Sequence, residues 1–343
     1  MNSNYQKEIS IDGSRRRPSA QTPGREPSAR IAAIDAARGV ALIGMAFYHL
    51  SWDFAYFHLA PPDFPMTPPM RLFSHSVAGT FLALSGVSLA LAHRETIRWG
   101  AFWRRLGVVG SAAALLSLAT YLFAPDDAIF FGILHCIALS SLLAAPLLLL
   151  PSWIGLVASA VAFAAPLLVA SPALNPPALV WLGLGTIPPR TLDWRPLLPW
   201  SGFVFLGLSL TRRNLARLVA SKLAQWRATG RAGVALAWAG RHSLAIYLIH
   251  QPILFGILFA ATDLTGVEAA YEAEQFGQVC QRECVAGGGE PQVCAPACQC
   301  VVKGLKDAGL SGAMARDRLD DAQREKYSEI VRGCSVGAKG SGL

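Results

Sequence analysis

The stretch Asp35-Ala-Ala-Arg38-Gly39-Val-Ala-Leu-Ile-Gly-Met-Ala-Phe-Tyr48-His49 decides how the rest of the chain is read. At about 3.6 residues per turn, the eleven steps from Arg38 to His49 make about three turns, so both side chains fall on one helix face. Asp35, three residues before Arg38, joins that face. The residues between are apolar enough to enter a bilayer. Ionisable groups are costly there and mark a site or a pathway. Two structural readings stand beside the functional one: Arg38 snorkels to headgroups with Asp35 as its partner, or His49 makes an interhelical hydrogen bond.

Outward from that helix, the composition is that of a polytopic membrane protein. The 343 residues are 53% hydrophobic and 15% charged, and the mean hydropathy of +0.38 argues against a soluble globule. Seven apolar segments are predicted to span, at about 36–56, 73–92, 102–123, 130–150, 153–170, 197–211 and 243–262. The sixth is the weakest, being short and starting among Pro196 and Pro199. Ala178 to Ile187 is apolar but too short to span, and its flanking proline pairs mark it as re-entrant or interfacial. Residues 1–30 carry Arg15-Arg16-Arg17 and three prolines but no apolar signal core, and read as a disordered basic tail.

Charge sets the orientation. With the N-terminus cytoplasmic, eighteen Lys and Arg fall in or beside cytoplasmic segments, against Arg71, Arg190 and Arg195 on the opposite side. Seven spans then put the C-terminus outside. The net charge of +8 follows this topology and is not gathered on one polar domain, which excludes nucleic acid as a partner. The loop 212–241 interleaves Leu215, Leu218, Leu223 and Trp226 with cations. It reads as a segment lying on anionic lipid, or as a docking surface for an anionic donor.

Three histidines, His49, His75 and His135, lie toward the outer half of their segments, and His250 is deep in the seventh. Each alone reads as an interhelical hydrogen bond. Together they offer a general base that titrates near neutral pH. No HxH or HExxH spacing supports a metal, and none is expected.

After about residue 264 the chain turns polar and holds six of the seven cysteines. Cys280 and Cys284 lie at i and i+4, as do Cys294 and Cys298, with Gly287-Gly288-Gly289 and Pro291 between the pairs. Two short antiparallel helices would set Cys280 opposite Cys298 and Cys284 opposite Cys294, leaving Cys300 to pair with Cys334. Four thiolates also suffice for zinc, although the outside location favours disulfides. Cys136, inside a span, reads as a small buried apolar residue.

The opening helix, Asp35-Ala-Ala-Arg38-Gly39-Val-Ala-Leu with His49 at its end, resembles that of the multi-spanning membrane acyltransferases. Phe81-Leu-Ala-Leu-Ser-Gly86, Phe131-Gly-Ile-Leu-His135 and Gly240-Arg241-His242-Ser243-Leu-Ala-Ile-Tyr247-Leu-Ile-His250-Gln251-Pro252 follow in order. Over about residues 30–262 the chain is similar to bacterial proteins related to the heparan-α-glucosaminide N-acetyltransferase catalytic domain. The resemblance implies acyl transfer in a bacterial inner membrane, from cytoplasmic acetyl-CoA to an extracytoplasmic glycan or lipid-linked amine or hydroxyl. On it, His49 is the first candidate for general base, and His75 and His135 are second candidates as base or oxyanion stabiliser. Arg38 and Arg241 contact donor phosphates, and His250 and Gln251 line the passage for the pantetheine arm. The chain departs from the lysosomal member in its first outer loop, which is short and proline-rich here and has His58 as its only histidine.

The expected organisation is thus a tail over 1–30, an all-α membrane acyltransferase-like domain over 31–264 and an extracytoplasmic cysteine-rich helical tail over 265–343. Two rival functions remain. A proton-coupled transporter would use the histidines as a relay, but the segments show none of the internal repeats such proteins carry. A membrane scaffold would have no use for an aligned Arg–His face.

Overall fold

Every regular element among the described residues is an α-helix or a single 3-10 turn. The computed structural model describes residues 30–310 and 320–339, so the tail expected over 1–30 lies outside them apart from Arg30. The helices are α1 (Ala32–Tyr56), α2 (Pro68–Ala92), α3 (Trp99–Phe123), α4 (Ile133–Ala144), α5 (Ser152–Val169), α6 (Pro177–Val180), α7 (Leu197–Arg213), α8 (Leu215–Ala220), α9 (Lys222–Gln225), α10 (Gly230–Arg241), α11 (Ser243–Thr265), α12 (Val267–Ala286), α13 (Pro291–Asp307) and α14 (Asp321–Lys339). In an apolar setting each backbone N–H and C=O must be paired inside its own segment, which is why apolar runs take this form. Helices α2, α3, α5 and α11 are long and apolar enough to cross a membrane. At 25 residues α1 is as long as α2 and α3, but Arg38, His49 and Asp53 dilute its apolarity.

The core is built around α7, which packs on α2, α5 and α4. Leu82, Val204 and Leu208 are fully buried there. The segment that reads weakest in the sequence is therefore the central one. Its short length and its serines do not weaken it, because protein rather than lipid surrounds it. Ser201 and Ser209 are buried, and Ser159 Oγ donates to the Gly202 carbonyl at 2.8 Å, a bond that small residues at a close helix crossing permit.

One other segment is shorter than the apolar pattern suggests. Helix α4 has 12 residues, and a 3-10 turn at Pro146–Leu148 follows it, since proline has no N–H to continue the ladder. The Arg212 guanidinium binds the Leu147 carbonyl and, at 2.8 Å, the Leu150 carbonyl beyond that turn. The piece 178–187 is α6 plus a loop folded back on its own flanks. Ser171 N–H donates to the Leu184 carbonyl, and Leu197 N–H to the Trp181 carbonyl.

The basic loop 212–241 contains more than surface helices, for α10 packs on α1. A Cβ added at Gly39 would overlap the Leu236 carbonyl, and one at Gly240 would overlap the Asp35 carbonyl. The two glycines let the backbones touch, and Arg241 lines the same cavity as Arg38. Helix α1 also packs on α2 and α11.

The tail helices α12, α13 and α14 are joined by three disulfides. Cys280–Cys298 and Cys284–Cys294 close the hairpin read from the sequence, each with a Cα–Cα distance of 5.8 Å, and Cys300–Cys334 ties α14 to α13 at 5.7 Å. These bonds leave no thiolate for the zinc alternative. Val301, Leu305 and Leu310 are buried under α14, with Phe276, Tyr327 and Ile330 against them. Cys136 is fully buried and free.

Candidate active site

A cavity of about 590 Å³ opens at the end of α1 that carries Asp35. Its lining includes seven arginines, Arg30, Arg38, Arg94, Arg98, Arg104, Arg105 and Arg241, and one carboxylate, Asp35. Arg38 Nη1 donates to Asp35 Oδ1 at 3.2 Å and its Nη2 donates to Ser88 Oγ. Arg105 Nη2 donates to Ser85 Oγ at 3.2 Å. Arg30 also approaches Asp35, at 3.6 Å, and Glu95 faces Arg94 at 3.3 Å. The cations still outnumber the acids that face them, so the cavity favours a polyanion. The planar fork of arginine suits phosphate oxygens in particular.

His93, in the turn between α2 and α3, adds no charge to this basin. It accepts the Arg98 N–H at Nδ1, 3.1 Å away. Burial first, then the charges of Arg105 and Arg98, hold its pKa below the ordinary histidine value. Deeper in, the cavity wall becomes apolar, through Phe81, Ile133, Leu134 and Leu244, and reaches Tyr247.

Beyond Tyr247, α1 and α11 cross through a second polar cluster. His49 lies about 16 Å along α1 from Arg38, at about 1.5 Å per residue. Its ring stands edge-on to that of His250, with centroids 4.9 Å apart. Asp53, one turn on from His49, is 3% exposed and accepts the Gln251 Nε2–H at 2.7 Å through Oδ1. His250 Nδ1 lies 2.7 Å from the Tyr247 carbonyl. Asp53 Oδ2, His250 Nε2 and Gln251 Oε1 are buried without a partner among the described residues. Leaving a buried polar atom unsatisfied costs about 1–3 kcal/mol, so three in one cluster mark a place that something else completes.

The other candidate histidines stand apart from this cluster. His75 is exposed, edge-on to Trp200 at 5.3 Å. Arg195 covers the Trp200 ring at 5.0 Å and donates to Ser74 Oγ at 2.6 Å. His135 uses both ring nitrogens. Nδ1 accepts the Gly132 N–H at 3.2 Å, so the proton sits on Nε2, which bonds Ser117 Oγ at 3.1 Å. Together with Asp193, whose Oδ2 accepts the Ile133 N–H at 2.8 Å, it closes the start of α4. The structure thus brings His49 together with His250 and Gln251; His75 and His135 lie outside that cluster, although Arg195 is near both His49 and His75, and Asp193 on the His135 side accepts from the Tyr247 hydroxyl at 3.4 Å. Arg38 and Arg241 do share the basin.

Sequence reasoning missed Asp53 and the depth of the basin. Asp53 follows His49 by four residues in His49-Leu-Ser-Trp-Asp53, and that spacing places both on one face of α1. Arg94, Arg98, Arg104 and Arg105 read as topology markers, and only the folded bundle turns them toward one space.

Searches of curated proteins and of solved structures returned no match. A family model, described as heparan-alpha-glucosaminide N-acetyltransferase, catalytic, matches residues 30–252. That range runs from the first arginine of the basin to the residue after Gln251, and so takes in both polar clusters. The chain belongs to this family of membrane acetyltransferases.

Proposed function

We propose that the chain transfers an acetyl group from cytoplasmic acetyl-CoA to a hydroxyl or amine on an extracytoplasmic carbohydrate or lipid-linked acceptor. The observation that carries this is the pair of clusters on one helix: a polycationic cavity at the start of α1 and a buried histidine site about three turns along it. Phosphates of the donor sit among Arg38, Arg105 and Arg241. The pantetheine arm passes Leu244 and Tyr247 and brings the thioester to His49. No hydrogen bond among the described residues engages the His49 ring, which leaves it able to take the acceptor's proton. The Lys and Arg bias supports seven spans with the basin on the cytoplasmic side and the cysteine-rich tail outside.

The test is label transfer by the purified, reconstituted chain, given radiolabelled acetyl-CoA and glucosamine. The wild type should form acetylated product, and His49→Ala should form none while still binding acetyl-CoA, since it removes a group needed only in the transition state. A wild type that binds no acetyl-CoA removes this reading and returns the chain to the transporter alternative.

A further inference from the structure

We infer that Asp53, Gln251 and His250 form the subsite that holds the acyl acceptor, and that this subsite takes only hydrogen-bond donors. The inference rests on the acyl-transfer reading of the same site. It follows from counting protons. A carboxylate brings none, so the amide group that faces Asp53 Oδ1 is the Gln251 NH2, and Oε1 points elsewhere. The Tyr247 carbonyl also brings none, so His250 Nδ1 carries the hydrogen and Nε2 presents a bare lone pair. Asp53 Oδ2 is the third lone-pair atom, on a side chain 3% exposed. All three are buried and unpartnered among the described residues.

A staple between α1 and α11 needs only the Gln251–Asp53 bond. It does not call for three acceptor atoms with nothing to accept. What completes them is a group bearing hydrogens on neighbouring atoms, either hydroxyls or an ammonium. A phosphate, a carboxylate or a thioester carbonyl brings further lone pairs and is turned away. The chemistry of the two ends therefore keeps the ligands apart, with the polyanionic donor held by arginines and the hydrogen-rich acceptor held by lone pairs.

His49, four residues before Asp53, is left free for the reacting proton. An ammonium first releases one proton to solvent; as the hydroxyl oxygen or neutral amine nitrogen then bonds to the thioester carbonyl carbon, its proton moves to His49 and the carbon–sulfur bond breaks. The proton then leaves with the CoA thiolate as the free thiol. Asp53 and Gln251 bind the acceptor beside its reacting atom in this step.

Asp53→Asn turns a lone-pair oxygen into an NH2 donor at nearly constant volume, and Gln251→Met removes the amide at nearly constant length. In the reconstituted full chain, with acetyl-CoA as donor and D-glucosamine as the acceptor probe, each variant should raise the acceptor KM by about tenfold or more. The KM for acetyl-CoA should stay within about twofold of the wild type, a split that a merely structural role would not give. An unchanged acceptor KM in both variants overturns the inference. So does loss of acetyl-CoA binding in both, which makes the cluster a structural staple, and so does a wild type that acetylates 1-propanol as readily as D-glucosamine. A wild type that binds acetyl-CoA but does not acetylate D-glucosamine also overturns it. Failure of the wild type to bind acetyl-CoA is a different result and removes the acyl-transfer reading instead.

Discussion

His49 and Arg105 divide the chemistry at the scale of the residue. Arg105 reaches into the basin with Ser85 as its one hydrogen-bond partner among the described residues, so its removal strands no buried carboxylate there. Arg105→Ala is expected to raise the KM for acetyl-CoA by about tenfold, the loss of one charge-assisted contact, with kcat little changed. Donor affinity should also fall as salt rises, and by less in the variant, which titrations at several ionic strengths would show. The alignment of Arg38 with His49 was legible in the sequence because it depends only on the period of one helix. The partner of Asp53 was not, because Gln251 lies 198 residues away and meets it only when α11 crosses α1. The sequence ranked His49 ahead of His75 and His135 but showed no contact that sets them apart. What separates them is which lone pairs the fold has already used, and at His135 both ring nitrogens are taken.

At the scale of the element, the crossing of α1 and α10 holds the basin together. Gly240→Val would force a side chain into the Asp35 carbonyl and displace α10, which carries Arg241 to the basin. We expect a loss of about 1–3 kcal/mol in stability, the usual range for overpacking, together with weaker acetyl-CoA binding, both measurable by thermal unfolding with and without the donor. The tail helices make a sharper prediction. With six cysteines paired and Cys136 buried, intact mass after alkylation without reductant should show no added label on the folded chain and a single label on the denatured one. Two labels or more would contradict the pairing. The first two disulfides were readable because i,i+4 cysteines on facing helices leave one sensible register. The centrality of α7 was not readable, since a segment surrounded by protein need not look like one surrounded by lipid. The fourth segment was overestimated because hydropathy does not register the break at Pro146.

For the whole molecule, the central claim is that one chain joins a donor on one side of a membrane to an acceptor on the other. The all-helical, membrane-embedded character followed from composition alone. The basin did not, since it is assembled from α1, α2, α3, α4, α10 and α11 together. Orientation can be checked first, with a periplasm-active reporter fused after Leu343, which should be active if seven spans leave the tail outside. The most direct test uses proteoliposomes sorted so that their cysteine-rich tails face the lumen, with D-glucosamine trapped inside and labelled acetyl-CoA added only outside. Acetylated glucosamine should accumulate in the lumen, and the His49→Ala protein should leave the lumen unlabelled. Product that forms only when donor and acceptor share one side would contradict transfer across the membrane.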